Sequence, residues 1–145
     1  MPTLVLRHRG APTPADFAAL AQQLTEITVR TLAKRGEVTA VLIDAAPTPH
    51  WFIGGEVPVQ PTAWLEISVT TGTNTAAQKR AFIAEAHAAL VAHLGSGAAL
   101  AEASYVIVRE LPASDWGYDG RTQAARQSAR QSTQAVSAAL AQQMG

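Results

Sequence analysis

The sequence predicts an α+β fold made of α/β-type units. Two tandem β-α-β units form one four-stranded sheet with two helices on one face, and a further helix follows at the C-terminus. Three observations predict it. Apolar residues alternate along TLVLRH, run on through VTAVLIDA and SYVIVREL, and recur at helical spacing between those runs. Landmarks repeat at a distance of about sixty residues, Gly10 with Gly72 and Trp51 with Trp116. Finally, a strand, a crossover helix and a parallel strand in one sheet form a right-handed unit, and two copies give four strands.

PTLVLRH is the first strand, and GAPTPADF turns the chain into a helix. Thr13 is its cap, Pro14 suits the first helical position, and Asp16 sits three residues past the cap at the positive helix end. Phe17, Leu20, Leu24, Ile27 and Leu32 mark its buried stripe, and Gly36 is its stop. VTAVLIDA returns as a strand, and a proline-rich stretch leads to HWFIGGE. In the second unit AWLEISV is the strand, with Trp64 in the core, and GTNTAAQK holds a capping box of Thr75 and Gln78. Phe82, Ile83, Ala86, Leu90 and Leu94 line the second helix, which Gly95 closes. ASYVIVREL is the fourth strand, and SDWGYDG echoes HWFIGG. The units span 1–60 and 61–120, with 121–145 a helical extension of one compact domain. The extension is rich in alanine and glutamine and weakly amphipathic through Ala125, Ala129, Val136, Ala139 and Leu140.

The returning strands look apolar on both faces, yet two helices cover only one face of a four-stranded sheet. The other face therefore calls for further copies of the chain, packed sheet against sheet.

Composition narrows the partners. Eleven basic residues balance eleven acidic ones among 145, which leaves no field to draw in nucleic acid or an anionic membrane. There is no cysteine, which excludes disulfide and thiolate chemistry. No stretch approaches the ~20 apolar residues of a membrane span, and Arg7-His8-Arg9 interrupts the N-terminus too early for a signal peptide. A cytoplasmic protein is expected. His50, His87 and His93 do not share a helix face as metal ligands would, so no metal is expected.

Pro2 raises a chemical question. Methionine is normally trimmed before a small residue, which would leave proline first, with a secondary amine. Pro2 has two readings at this point: an edge-strand residue, or a catalytic amine. An ordinary α-amine has a pKa of about 7.7–8.0, and apolar surroundings or a nearby cation lower it. A neutral secondary amine then takes a proton beside a carbonyl and returns it elsewhere.

Pro2, β-α-β units of this length, and the closing WFIGG together resemble the tautomerase superfamily. That group includes 4-oxalocrotonate tautomerase, the cis-3-chloroacrylic acid dehalogenases, malonate semialdehyde decarboxylase and macrophage migration inhibitory factor. The resemblance spans roughly 2–122 and is to the long, fused members with two units per chain. It rests also on Thr71, Thr73-Asn74-Thr75, Lys79, Ser104-Tyr105 and GYDGRTQ, in that order.

The resemblance implies a homotrimer, a small-molecule substrate (an enol or α-keto acid), no cofactor, and Pro2 as general base and acid of a tautomerase. It implies that Trp51 and Trp116 wall the pocket, that Arg9 lies where backbone holds substrate, and that Tyr105 donates to an oxyanion. Tyr118 and Asp119 fall where relatives place an aromatic or acidic site residue. Asn74, as a like donor, and Arg109 are further substrate-binding candidates. For Tyr105 a packed core role stands equally open, while a turn-forming role for Asn74 and an ion pair with a neighbouring subunit for Arg109 are the plainer readings. Arg7, His8 and Arg9 also read as a solvated edge that blunts strand pairing. The sequence departs from the family's arginines. The position after strand one is Pro12, its second-unit counterpart is Asn74, and those at the returning strands are Ala40 and Tyr105. A trimer that binds without catalysis is therefore the alternative function.

Overall fold

The computed structural model describes residues 2–10, 13–44, 50–95 and 99–144. Strand β1 (Thr3–Arg9) leads to helix α1 (Pro14–Leu32), strand β2 (Ala40–Ile43), strand β3 (Thr62–Thr70), helix α2 (Ala76–Leu94) and strand β4 (Tyr105–Leu111). The hairpin β5 (Gly117–Tyr118) and β6 (Arg121–Thr122) then opens into helix α3 (Gln123–Gln143). Packing divides the chain into two compact units, Met1–Glu110 and Leu111–Gly145.

In the first unit the strands lie in the order β2-β1-β3-β4. β1 runs parallel to β2 and antiparallel to β3, from Thr3 opposite Ser68 to Arg9 opposite Thr62. The two repeats thus meet back to back through β1 and β3. β1 is an inner strand over Thr3–Leu6, whereas Arg7–Arg9 pair with β3 alone, and the Arg7 side chain is exposed. His8 is buried, its Nε2 2.7 Å from the Asp44 carbonyl oxygen and its ring 5.3 Å from Phe17. The solvated-edge reading of that tripeptide does not hold for it.

Both helices pack on one face over Leu4, Leu6, Ala63, Leu65, Ile67 and Val69, the inward positions of a period-2 pattern. α1 contributes Leu20, Leu24, Ile27 and Leu32, and α2 contributes Phe82, Ala86, Ala89, Leu90 and Leu94. Ile83, expected in the stripe, is 40% exposed, because one residue on from Phe82 the helix has turned by ~100°. Both capping boxes form: Thr13 with Asp16, and Thr75 with Gln78. α1 ends on Ala33 in the left-handed region (φ 55°), not at Gly36, which instead opens a short 3₁₀ turn over Gly36–Val38. That turn shortens the predicted strand at 38–45 to Ala40–Ile43.

No described element of the first unit covers the sheet's other face. Leu42 and Tyr105 are more than half exposed there, and Trp64, expected in the core, lies half-buried on it against Tyr105.

The repeated aromatic turns are the same device twice. After Trp51, Ile53 bridges Glu56 around Gly54 and Gly55 (φ 61° and 81°). After Trp116, Tyr118 pairs with Arg121 around Asp119 and Gly120 (φ 51° and 72°). Two central residues at positive φ mark a type I′ hairpin, and glycine or an Asx residue fits there with least strain.

Candidate active site

Pro2 is buried, one residue before β1, and its carbonyl accepts the Ala40 N–H at 3.3 Å. That bond fixes it at the entrance of the parallel β1–β2 pair. Because β1 and β3 are antiparallel, the C-terminal end of β3 lies at the same end of the sheet. The turn there brings a cation that sequence reasoning missed. Lys34, in the link after α1, donates from Nζ to Thr73 Oγ1 at 2.9 Å, and Thr73 Oγ1 donates to the Thr70 carbonyl at 2.7 Å. No carboxylate lies within salt-bridge distance of Lys34 among the described residues. Burial holds its ammonium pKa below the ordinary value of 10.5, since it disfavours the charged form. The signal is visible only in retrospect: a lysine just past the first helix, with the second unit's turn 39 residues further on.

Asn74 stands beside Thr73, where the second-unit arginine was expected. Its Nδ2 donates to the Leu32 carbonyl at 2.9 Å and to Gln78 Oε1 at 3.1 Å. Both amide hydrogens are engaged. Pro12 and Met1 lie outside the described residues.

The other expected residues of the first unit gather at the opposite end of β1. Arg9 is seven residues from Pro2, about 23 Å along an extended strand. Its Nη1 donates to the Pro58 carbonyl at 2.6 Å. Trp51 lines a groove of about 340 Å³ with Arg7, His50, Phe52 and Trp64. Trp64 faces Arg7 across the β1–β3 ladder, and its ring lies 5.4 Å from that of Tyr105. Arg109 Nη1 stands 3.9 Å from Glu66 Oε2, while Glu66 Oε1 accepts the Trp64 indole N–H at 3.2 Å. Arg109 thus pairs within its own chain. A single chain does not bring Arg9, Trp51 or Tyr105 to its own Pro2.

Trp116, Tyr118 and Asp119 belong to the second unit. Asp119 is exposed at the tip of the hairpin. The Arg126 guanidinium carbon lies 3.8 Å from the centre of the Tyr118 ring, and Arg126 Nη2 donates to the Tyr118 carbonyl at 3.0 Å. No group of three or more potential metal-ligating residues occurs among the described residues.

Residues 64–126 match the family model described as tautomerase enzyme. No curated protein matches the sequence significantly. Among solved structures, the F6 fused 4-OT asymmetric trimer is similar at 26% identity and a TM-score of 0.72, covering 85% of this chain and 97% of its own. Native fused 4-OT is similar at 28% identity and 0.70, with the same coverage. Macrophage migration inhibitory factor of Toxoplasma gondii shares the fold at 21% identity and 0.68, covering 83% of this chain and 98% of its own.

Proposed function

We propose that this chain, a tautomerase-superfamily protein of the long, fused form, is an isomerase whose Pro2 amine, freed by loss of Met1, interconverts enol and keto forms of a small enol or α-keto acid. The observation that carries this reading is the buried Pro2 at the sheet end that also holds an uncompensated lysine. In the proposed step the neutral amine removes a proton from the enol hydroxyl. The Lys34 ammonium stabilises the resulting enolate oxygen, and the protonated amine returns the proton to carbon. A charge held in partly desolvated surroundings acts more strongly on an oxyanion than one in water. Lys34 thereby takes the place of the arginines whose positions are Pro12 and Asn74.

The active form in this reading is a homotrimer. Support comes from the fused 4-OT trimers it resembles and from the open sheet face with Leu42, Trp64 and Tyr105. The ~23 Å separation along β1 adds to it, because Arg9, Trp51 and Tyr105 then reach a Pro2 only from a neighbouring chain. Trp116 is assigned to a pocket wall, and Tyr118, Asp119 and Arg109 to substrate contact. No cofactor, nucleic acid or membrane enters the reading, and the location is cytoplasmic. No described helix is long and apolar enough to cross a membrane. The alternative, a non-catalytic trimeric scaffold, is favoured by one observation, the missing arginines.

One relative, Pt0534, has been captured inactivated by 2-oxo-3-pentynoate. That electrophile tests the reading here. Peptide mass mapping after incubation should show a single adduct on Pro2, absent from Pro2→Ala. Adducts spread over lysines, with none on Pro2, would favour the scaffold.

A further inference from the structure

Among the described residues, four buried side-chain polar atoms lack a hydrogen-bond partner, and three of them fall at one place: Trp116 Nε1, Gln123 Nε2 and Arg126 Nε. All three are N–H donors in the second unit, on the β5–β6 hairpin and the first turn of α3. They are tied together by the backbone. The Gln123 N–H donates to the Trp116 carbonyl at 2.9 Å, and Arg126 Nη2 donates to the Tyr118 carbonyl at 3.0 Å. Gln123 is only 4% exposed. Stacking on Tyr118 holds the Arg126 guanidinium in one orientation before any ligand arrives.

Arginines outnumber carboxylates here, Arg121, Arg126 and Arg130 against Asp115 and Asp119. α3 is 21 residues long and begins here, so its dipole adds partial positive charge, with the Gln123, Ala124 and Ala125 N–H groups already bonded to the Trp116 carbonyl, the Ala113 carbonyl and Thr122 Oγ1. No carboxylate lies within 4.0 Å of Arg121, Arg126 or Arg130 among the described residues. Of the nearby acids, Asp115 accepts from Ser114 Oγ at 2.8 Å and Asp119 is exposed on the turn. A buried donor without an acceptor is costly, and three such donors, with Gln123 Oε1 the one acceptor on their side chains, call for an acceptor with several lone pairs. Trp116 also lines an open recess of about 310 Å³ with Ser114, Asp115, Arg121 and Thr122, so a small ligand there meets the donor set at Trp116, with Gln123 and Arg126 behind it.

We propose that the junction of the β5–β6 hairpin with α3 binds a small carboxylate, with Arg126 as its principal donor and Gln123 and Trp116 as auxiliary ones. A carboxylate supplies two acceptor oxygens in the geometry that guanidinium recognises. The preceding functional reading enters only in identifying the carboxylate as that of an α-keto acid.

The test is a titration of the full chain with pyruvate, the smallest such acid, followed through the Arg126 Nε–H and Trp116 indole N–H resonances. Both should shift saturably. Arg126→Gln should raise the dissociation constant about tenfold or more, while Arg130→Gln, one turn further along the exposed helix, should leave it unchanged. Repeating the titration on Pro2→Ala separates the two proposals, since binding persists there even if turnover is absent in every form. Resonances that do not saturate would mean that ordered water fills the junction, and that overturns the proposal. Equal weakening by Arg126→Gln and Arg130→Gln would overturn it too, as diffuse charge in place of a site. The wild-type titration decides even if Arg126→Gln fails to fold.

Discussion

Replacing Lys34 by methionine keeps the stem length and removes the charge. If the ammonium holds the enolate oxygen, the variant loses one charge-assisted hydrogen bond in the transition state, about 1.5–3 kcal/mol. At 1.36 kcal/mol per decade this is a fall of about 10- to 150-fold in kcat/KM. Stability should barely move. Among the described residues the only hydrogen bond to go is the one to exposed Thr73, and its loss is offset by relief of a desolvated charge. The pH dependence gives an independent check. Burial places the folded-state pKa of Lys34 below 10.5, so the ammonium and its contribution to rate are lost as pH rises through that lowered value. In the same window, between the lowered value and 10.5, the unfolded chain binds more protons than the folded one. Wild-type stability therefore rises with pH there, and that of Lys34→Met does not. Ketonisation of an enol substrate across the alkaline range measures the first effect, and thermal melts measure the second. A kcat/KM within twofold of wild type, or an unchanged alkaline limb, would refute the role given to Lys34.

Asn74→Ala removes the bonds to Leu32 and Gln78 and leaves the α1 C-terminal carbonyl without its side-chain donor. A loss of about 1–2 kcal/mol by thermal melt is expected, with kinetic constants within twofold. Ala33→Gly relieves the left-handed backbone at φ 55° and should stabilise by about 0.5–1 kcal/mol, read as a rise in Tm. Leu42→Glu places a charge on the open sheet face, where Leu42 is 55% exposed in the single chain. Light scattering should shift from a trimer towards the 15.2 kDa monomer, with helix content retained.

Much of the fold was legible because it is written in local periodicity. Leu4 and Leu6 alternate, the stripes of α1 and α2 repeat at helical spacing, and both capping boxes stand within four residues. The echo of Trp51–Gly54–Gly55 in Trp116–Asp119–Gly120 is likewise local, since a type I′ turn demands particular residues. Periodicity reports which face is buried but not which ends meet. Trp64 alternates correctly and still lies on the uncovered face, because two helices cover only one side. The stop of α1 on Ala33 was hidden because a glycine three residues later is the stronger local signal.

The site was least legible for the same reason. Lys34 and Thr73 meet only because the antiparallel β1–β3 ladder brings the end of β3 beside the start of β1. Pro2 precedes β1 and Arg9 ends it, so the full strand separates them and shared sequence locality misled. Arg126 has no counterpart among the positions where the family's arginines were expected.

The most direct test of the account is kcat/KM for ketonisation of phenylenolpyruvate by the Met1-free chain against Pro2→Ala. Loss of the general base predicts a fall of about 10²-fold or more. A Pro2→Ala protein that matches wild type would contradict the claim that the proline amine carries the chemistry.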